Sequence, residues 1–115
     1  MEIAVHSHGY VAETNEIAVE EFFPSTSHVM NILGRERGWA PYTKASFDAA
    51  RASNGALYVG DPAYVAEKII HLQRSLGITR FMMHTPLGSM PHEKVLQSIR
   101  LLGEQVAPIV RAAVK

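Results

Sequence analysis

The chain contains no cysteine, which excludes a disulfide scaffold, thiol catalysis and thiolate metal sites together. It has no surplus of either charge: Lys plus Arg and Asp plus Glu each number 11, so the formal net charge is zero. That balance removes the electrostatic footprint of a nucleic-acid binder, and 47% hydrophobic with 19% charged residues is not the composition of a disordered segment. No apolar run approaches the roughly 20 residues needed to span a bilayer. The N-terminus has no basic region leading into an apolar stretch, so the expectation is a cytoplasmic protein. Internal repeats, low-complexity tracts, a G-x-G-x-x-G pattern and a P-loop are all absent. What is present reads as one domain over residues 1–115.

The rest of the chain is organised around Leu57-Tyr58-Val59-Gly60-Asp61-Pro62 and the run that follows it. The apolar stretch Ala56 to Val59 is too short for a helix and stops at Gly60. Asp61 can accept from the free amides of a first helical turn, and Pro62 has no amide to lose there. Val65, Ile69, Leu72 and Leu76 recur at spacings of four, three and four, which predicts one buried helical stripe. Gly77 supplies a left-handed stop. A second apolar run, Phe81 to Met83, follows, and the strand, helix and strand predict a βαβ unit whose two strands pair in parallel.

Upstream, Ile3 to Val11 suits a strand, with Ala4, His6, His8 and Tyr10 on one face and Ile3, Val5, Ser7 and Val11 on the other. Thr14 is a suitable N-cap for the next helix, with Glu16 near its positive end. Ile17, Phe22, Val29 and Leu33 are expected on its buried side. Pro24 is expected to kink or divide this helix, and Gly34 to end it. Residues 35–55 form a long connection containing a short helix near Ser46 to Ala52, and a connection of this length is usually functional or mobile. Beyond the βαβ unit, Thr85 to Met90 reads as a loop. Pro91 opens a last helix with a stripe of Val95, Ile99, Leu102, Val106 and Ile109, and Pro108 is expected to bend or end it.

Three groups of residues can carry chemistry. His6 and His8 share a strand face, where they can bind a cofactor, orient a substrate or simply line an interior as hydrogen-bonded polar residues. They can also begin a metal site, but two imidazoles lack the third ligand a catalytic metal needs, and His84 is the only other histidine well placed to supply it. Gly60-Asp61-Pro62 opens a helix, where a phosphate can sit. Asp61, however, occupies those amides with a negative charge and Pro62 removes one, so capping is the better reading. Arg35, Arg37, Trp39 and Tyr42 place guanidinium groups beside aromatics, as in a clamp for an anionic substrate. An arginine-rich helix end is the plain alternative. Met82 and Met83 read as core, His84 as the residue of that strand best placed to reach a site, and His92, Glu93 and Lys94 as a solvated helix start.

Val59-Gly60-Asp61-Pro62 with Val65-Ala66-Glu67-Lys68, Leu76-Gly77-Ile78 with Arg80-Phe81, Pro86-Leu87-Gly88 with Pro91-His92-Glu93-Lys94-Val95-Leu96, and Leu101-Leu102-Gly103 with Val106-Ala107-Pro108 together resemble the C-terminal part of the luciferase-like flavin-dependent monooxygenases. The resemblance covers nearly the whole chain. It implies an α/β fold, the C-terminal portion of a TIM (β/α)8 barrel with about three βα units, since a complete barrel needs about 250 residues. It implies a monooxygenase acting on paired donors with O2 and a reduced flavin, FMN or a deazaflavin, often supplied by a separate flavin reductase. In that family a histidine at the position of His8 lies in the active-site region, and an arginine often stands at the position of His6. The implied roles are catalytic for His8 and His6 and cofactor-binding for His84, Arg35 and Arg37. Most flavin contacts in such barrels come from earlier strands, so an incomplete flavin site is expected. Two other classes stay open: a non-catalytic remnant or accessory module that assembles with another chain, and a small hydrolase using the His-x-His strand with a metal. Three parallel strands covered by helices on one side would leave a sheet face and edges exposed, which predicts a homo-oligomer, most simply a two-fold dimer.

Overall fold

The computed structural model describes residues 2–38, 40, 42–52, 55–85 and 90–114. Its centre is β1 (Ala4–Val11), whose two edges take the two other strands. β2 (Tyr58–Gly60) pairs with the C-terminal part of β1, from Gly9 opposite Tyr58 to Val11 opposite Gly60. β3 (Arg80–His84) pairs with the N-terminal part, from Ala4 opposite Arg80 to His8 opposite His84. Both pairings are parallel and the order is β2-β1-β3. The expected direct pairing of β2 with β3 is therefore wrong. β1 is long enough to be shared, and the β2-to-β3 crossover passes over it.

Helices reach both faces of this sheet. α1 (Asn15–Arg37) and α2 (Lys44–Arg51) bring Phe22 and Phe47 against Tyr10 and Val59. α3 (Pro62–Leu76), α4 (His92–Leu101), a π-helical turn over Leu102–Val106 and α5 (Ala107–Ala113) cover the other face, where Val11, Tyr58, Val65, Ile69, Leu101 and Val106 pack together. The expectation of helices on one side only is thus corrected at the C-terminal end of the sheet. Toward the N-terminal end it holds: Ala4, His6 and His8 of β1 with Met82 and His84 of β3 stay exposed. Met82, read from sequence as core, is 42% exposed for this reason.

The helix ends follow the sequence logic closely. Thr14 Oγ1 accepts from the Ile17 amide at 3.1 Å, Thr43 Oγ1 from Ser46 at 3.1 Å and Asp61 Oδ1 from Tyr64 at 2.8 Å. Gly77, at φ 68°, ends α3. Pro24 does not divide α1, which runs through it and past Gly34 to Gly38, at φ 74°. Its true buried stripe is Ala18, Phe22 and Thr26 at four-residue spacing, whereas Ile17 is exposed. Gly34 is buried inside the helix, and its carbonyl accepts the amide of the Gly38 cap. Leu76 and Ile99, both assigned to buried stripes, are 56% and 52% exposed, and Ile109 is exposed too. For Ile109 the π turn is the cause, since a wider turn rotates everything after it relative to the α periodicity. Ahead of that turn, α4 buries Val95, Ser98 and Leu101 rather than Ile99, and Val106 is buried within it. The π turn also relieves Pro108, whose ring would clash with the preceding turn, and α5 continues to Ala113. Trp39, Pro41, Ser53, Asn54 and residues 86–89, part of the stretch expected to be a loop, lie outside the described residues.

Candidate functional site

The register of β1 with β3 decides where the histidines fall. His6 stands opposite Met82 and His8 opposite His84, and residues opposite one another in a parallel pair share a face. Three imidazoles therefore meet on the uncovered half of the sheet. Ring centroids lie 6.4 Å apart for His6 and His8, 5.5 Å for His6 and His84, and 5.1 Å for His8 and His84, with the last pair edge to face. Partial burial lowers the pKa of His8, and the neighbouring His84 and His6 lower it further against a hydrogen bond with the His84 backbone that raises it. A neutral His8 ring offers one donor and one acceptor, which suits it to orient a carbonyl or to exchange a proton with a bound substrate. No cluster of three or more His, Asp or Glu among the described residues is arranged to hold a metal ion.

The other expected site residues fall elsewhere. Arg35 and Arg37 occupy the exposed last turn of α1, beside its Gly38 cap. Tyr42 is drawn back onto α1: its amide donates to Asn31 Oδ1 at 2.9 Å, and its ring stacks on Phe23 at 6.4 Å. Its ring packs at the edge of the core. Asp61 fills the N-terminus of α3 with its own carboxylate, as capping required. The backbone amide of Asp61 in turn donates to Asn15 Oδ1 at 2.9 Å, which fixes the start of α3 to the start of α1.

Along the same face as the imidazoles, one step toward the C-terminal end of β1, lies Tyr10. Its hydroxyl donates to Glu21 Oε1 at 2.8 Å, and Glu21 Oε2 pairs with Lys94 Nζ at 2.8 Å. Burial and Glu21 raise the Tyr10 pKa. Burial alone would raise that of Glu21 as well, but Lys94 and Tyr10 outweigh it and hold the carboxyl below its usual range. A hollow of about 330 Å³ opens beside this chain of contacts, between α1 and α4. Lys94 is thus not merely solvated, as its position at a helix start suggested; it joins α4 to α1.

Of the buried polar residues Thr26, Lys68, Thr85 and Ser98, none was read as buried from the sequence, and Ser98 and Lys68 tie elements together. Ser98 Oγ accepts from the Val11 amide at 2.8 Å and so terminates β1. Lys68, 4% exposed, donates to the carbonyls of Ala50 at 3.4 Å, Arg51 at 3.0 Å and Leu57, with the Tyr58 ring 4.7 Å away. Burial, and secondarily Arg51, push its pKa down to about 8. The signal was available in both cases. Lys68 is three residues from Val65 and one from Ile69, and Ser98 is three from Val95, so each falls on a stripe otherwise apolar.

No family model matches this sequence, and no curated protein does. Solved structures do. The chain is similar over 92% of its length to 30% of the monooxygenase RslO1 from Streptomyces bottropensis, with a TM-score of 0.71 and 22% identity. Over 93% of its length it is similar to 33% of the oxygenating constituent of 3,6-diketocamphane monooxygenase, a type II Baeyer-Villiger monooxygenase from the CAM plasmid of Pseudomonas putida in complex with FMN, with a TM-score of 0.61 and 21% identity. The chain spans about a third of the length of these structures. Its α/β architecture, a three-stranded parallel sheet with helices, is that of part of the TIM-barrel-like fold of these structures.

Proposed function

We propose that this chain forms part of a luciferase-like flavin-dependent monooxygenase and supplies one wall of its site, with His6, His8 and His84 facing the reacting molecules. The observation that carries this reading is the meeting of three imidazoles on a stretch of a parallel sheet that is exposed among the described residues and whose fold matches part of an FMN-bound oxygenase. His8, the ring with the lowered pKa, is the proton-exchanging group, and His6 and His84 orient it and the substrate. Reduced flavin, as FMN or a deazaflavin and provided by a separate reductase, would activate O2; a barrel of this kind supplies orientation and excludes water. The described residues suit the polar edge of a planar ring. At the start of α3 they do not suit a flavin phosphate, because the Asp61 carboxylate fills that helix end and Pro62 removes an amide. By the resemblance, most flavin contacts fall to barrel strands other than these three, and a homo-oligomer, most simply a dimer, is the simplest assembly of this chain alone.

Nuclear magnetic resonance of the histidine rings during FMN titration tests the proposal. Millimolar FMN should shift the His6, His8 and His84 resonances and leave His28, His71 and His92 unmoved, and His8→Ala should remove the effect without unfolding the chain. Unperturbed rings at the trio, or equal shifts at all six histidines, would refute the assignment of this face. Tight stoichiometric FMN binding would show instead that the phosphate seat lies within this chain.

A further inference from the structure

Alternation along β3 sends its two methionines to opposite faces of the sheet. Met83 turns to the covered face, where it packs against the core that holds Val11, Tyr58 and Val65. It lies directly on Gly9, where an added Cβ would stand 2.7 Å from Met83 Cε. Met82 turns to the imidazole face and is 42% exposed, the one exposed methionine among the described residues, since Met30 and Met90 are half-buried. The register puts His6 opposite Met82 and His8 opposite His84. Neighbouring strands lie about 4.8 Å apart, so one imidazole flanks the thioether across the strand pair and a second, that of His84, follows two residues along its own strand. The His6 and His84 rings meet edge on at 5.5 Å. Ala4, the preceding residue of β1 on this face, is too small to cover the thioether. Met82 is thus an open sulfur bordered by imidazoles.

We propose that Met82 is a modification site, oxidised to the sulfoxide by hydrogen peroxide with His6 carrying the proton. The sulfur attacks one peroxide oxygen; a sulfur-to-oxygen bond forms as the oxygen-to-oxygen bond breaks, and sulfur gives up two electrons. The second oxygen leaves as hydroxide, takes the proton that the first oxygen releases and departs as water. An imidazole has a donor at one nitrogen and an acceptor at the other, so it can pass that proton between the two oxygens. The product is polar where the thioether was apolar, and reductases specific for methionine sulfoxide reverse it. Its oxygen is an acceptor placed beside the His6 and His84 rings, so the mark alters the imidazole face itself. The source of peroxide rests on the reading of this face as an oxygenase wall, because reduced flavin and O2 yield peroxide whenever oxygen transfer fails; the reactivity of the thioether does not.

Timed exposure of the purified chain to hydrogen peroxide, followed by mass spectrometry of its peptides, tests the proposal without any flavin, so its outcome is separate from that of the FMN titration. Met82 should be oxidised at least three-fold faster than N-acetylmethionine amide in the same solution and at least ten-fold faster than Met83, and methionine sulfoxide reductase should restore it. His6→Ala should bring the Met82 rate down to that of the amide with the thermal melt unchanged, and His28→Ala, on α1, should leave the rate as it is. In the oxidised chain the His6 and His84 ring resonances should move while those of His71 and His92 stay in place. A Met82 rate no greater than that of the amide, equal oxidation of Met83, an undiminished rate in His6→Ala, or unmoved rings after oxidation would each overturn the proposal.

Discussion

Replacing Lys68 with methionine should change the pH dependence of stability far more than stability itself. The ammonium is buried, and its pKa falls from 10.5 to about 8, a difference of roughly 2.5 units or about 3 kcal/mol. At pH 7 the folded protein carries that cost. Above pH 8 the folded chain has released a proton that the unfolded chain still holds at Lys68, so the stability must rise with pH until the unfolded lysine also titrates near 10.5. The opposing tyrosines set the upper limit of the window. Burial raises the pKa of Tyr10, Tyr42 and Tyr58, so above about pH 10 the unfolded state loses protons first and stability falls. Methionine keeps the apolar stem and removes the charge. Of the three carbonyls, that of Ala50 still accepts from the Leu57 amide at 2.9 Å and that of Arg51 from the Tyr64 hydroxyl at 2.6 Å, so the Leu57 carbonyl is the one chiefly deprived. One unsatisfied buried carbonyl costs about 1–3 kcal/mol, close to the burial cost recovered. Urea midpoints at pH 7, 8, 9 and 9.5 should therefore climb for the parent chain, stay level for Lys68→Met, and nearly coincide at pH 7. A parent without the climb, or a variant that keeps it, would show that Lys68 is not a buried ammonium.

Ser98→Ala should destabilise the fold by about 1–3 kcal/mol, because it leaves the buried Val11 amide without an acceptor; the same loss should appear as faster hydrogen exchange at Val11 but not at Val59. His84→Ala should raise the His8 pKa toward its ordinary value, read from the ring resonances during a pH titration, since one of the neighbouring charges that depress it is gone. Because the His8 pKa is depressed, its contribution to stability is present above pH 6.5 and lost as pH falls through the folded value, and the variant should flatten that acid limb. Pro24→Ala should stabilise α1 by up to about 3 kcal/mol, as it restores an amide donor within a helix that already runs unbroken; an unchanged melting temperature would mean that Pro24 costs nothing where it stands.

The elements were more legible than their assembly. Caps are local chemistry, so Thr14, Asp61 and Gly77 announced their helix ends in the sequence and perform there as expected. The histidine face was equally legible, because alternation along a strand is fixed by the backbone, but bringing His84 to it required the β1-to-β3 register. That pairing joins residues almost eighty positions apart, and no local pattern encodes it. The last helical stripe misled at Ile109 for a different reason. A constant 3.6-residue period was assumed across Leu102–Val106, and the π turn there changes the period; Gly103 and Pro108 mark the spot but do not specify which irregularity resolves it.

The uneven cover of the sheet joins these points into one physical account. β1 is eight residues long and β2 only three, so β2 can support only the C-terminal part of β1. There, Tyr10 and Val11 are buried on opposite faces beneath α1 and α3 respectively. The N-terminal part has β3 alone beside it, and among the described residues no helix covers its imidazole face; the exposed residues there are Ala4, Arg80, Met82 and three histidines rather than a run of Val or Ile. Parallel sheets ordinarily bury both faces with near-continuous apolar strands. A chain that meets that rule at one end of β1 and places titratable rings at the other is built to hold its fold with the first and to present a polar surface with the second. Exchanging His6 and His8 for valine should accordingly leave the cooperative melt intact, because neither ring supports the two cores, and should increase self-association by creating an apolar sheet face. Sedimentation across a concentration series would measure it: a double variant that fails to fold would place the imidazoles in the core, contrary to the division argued from burial.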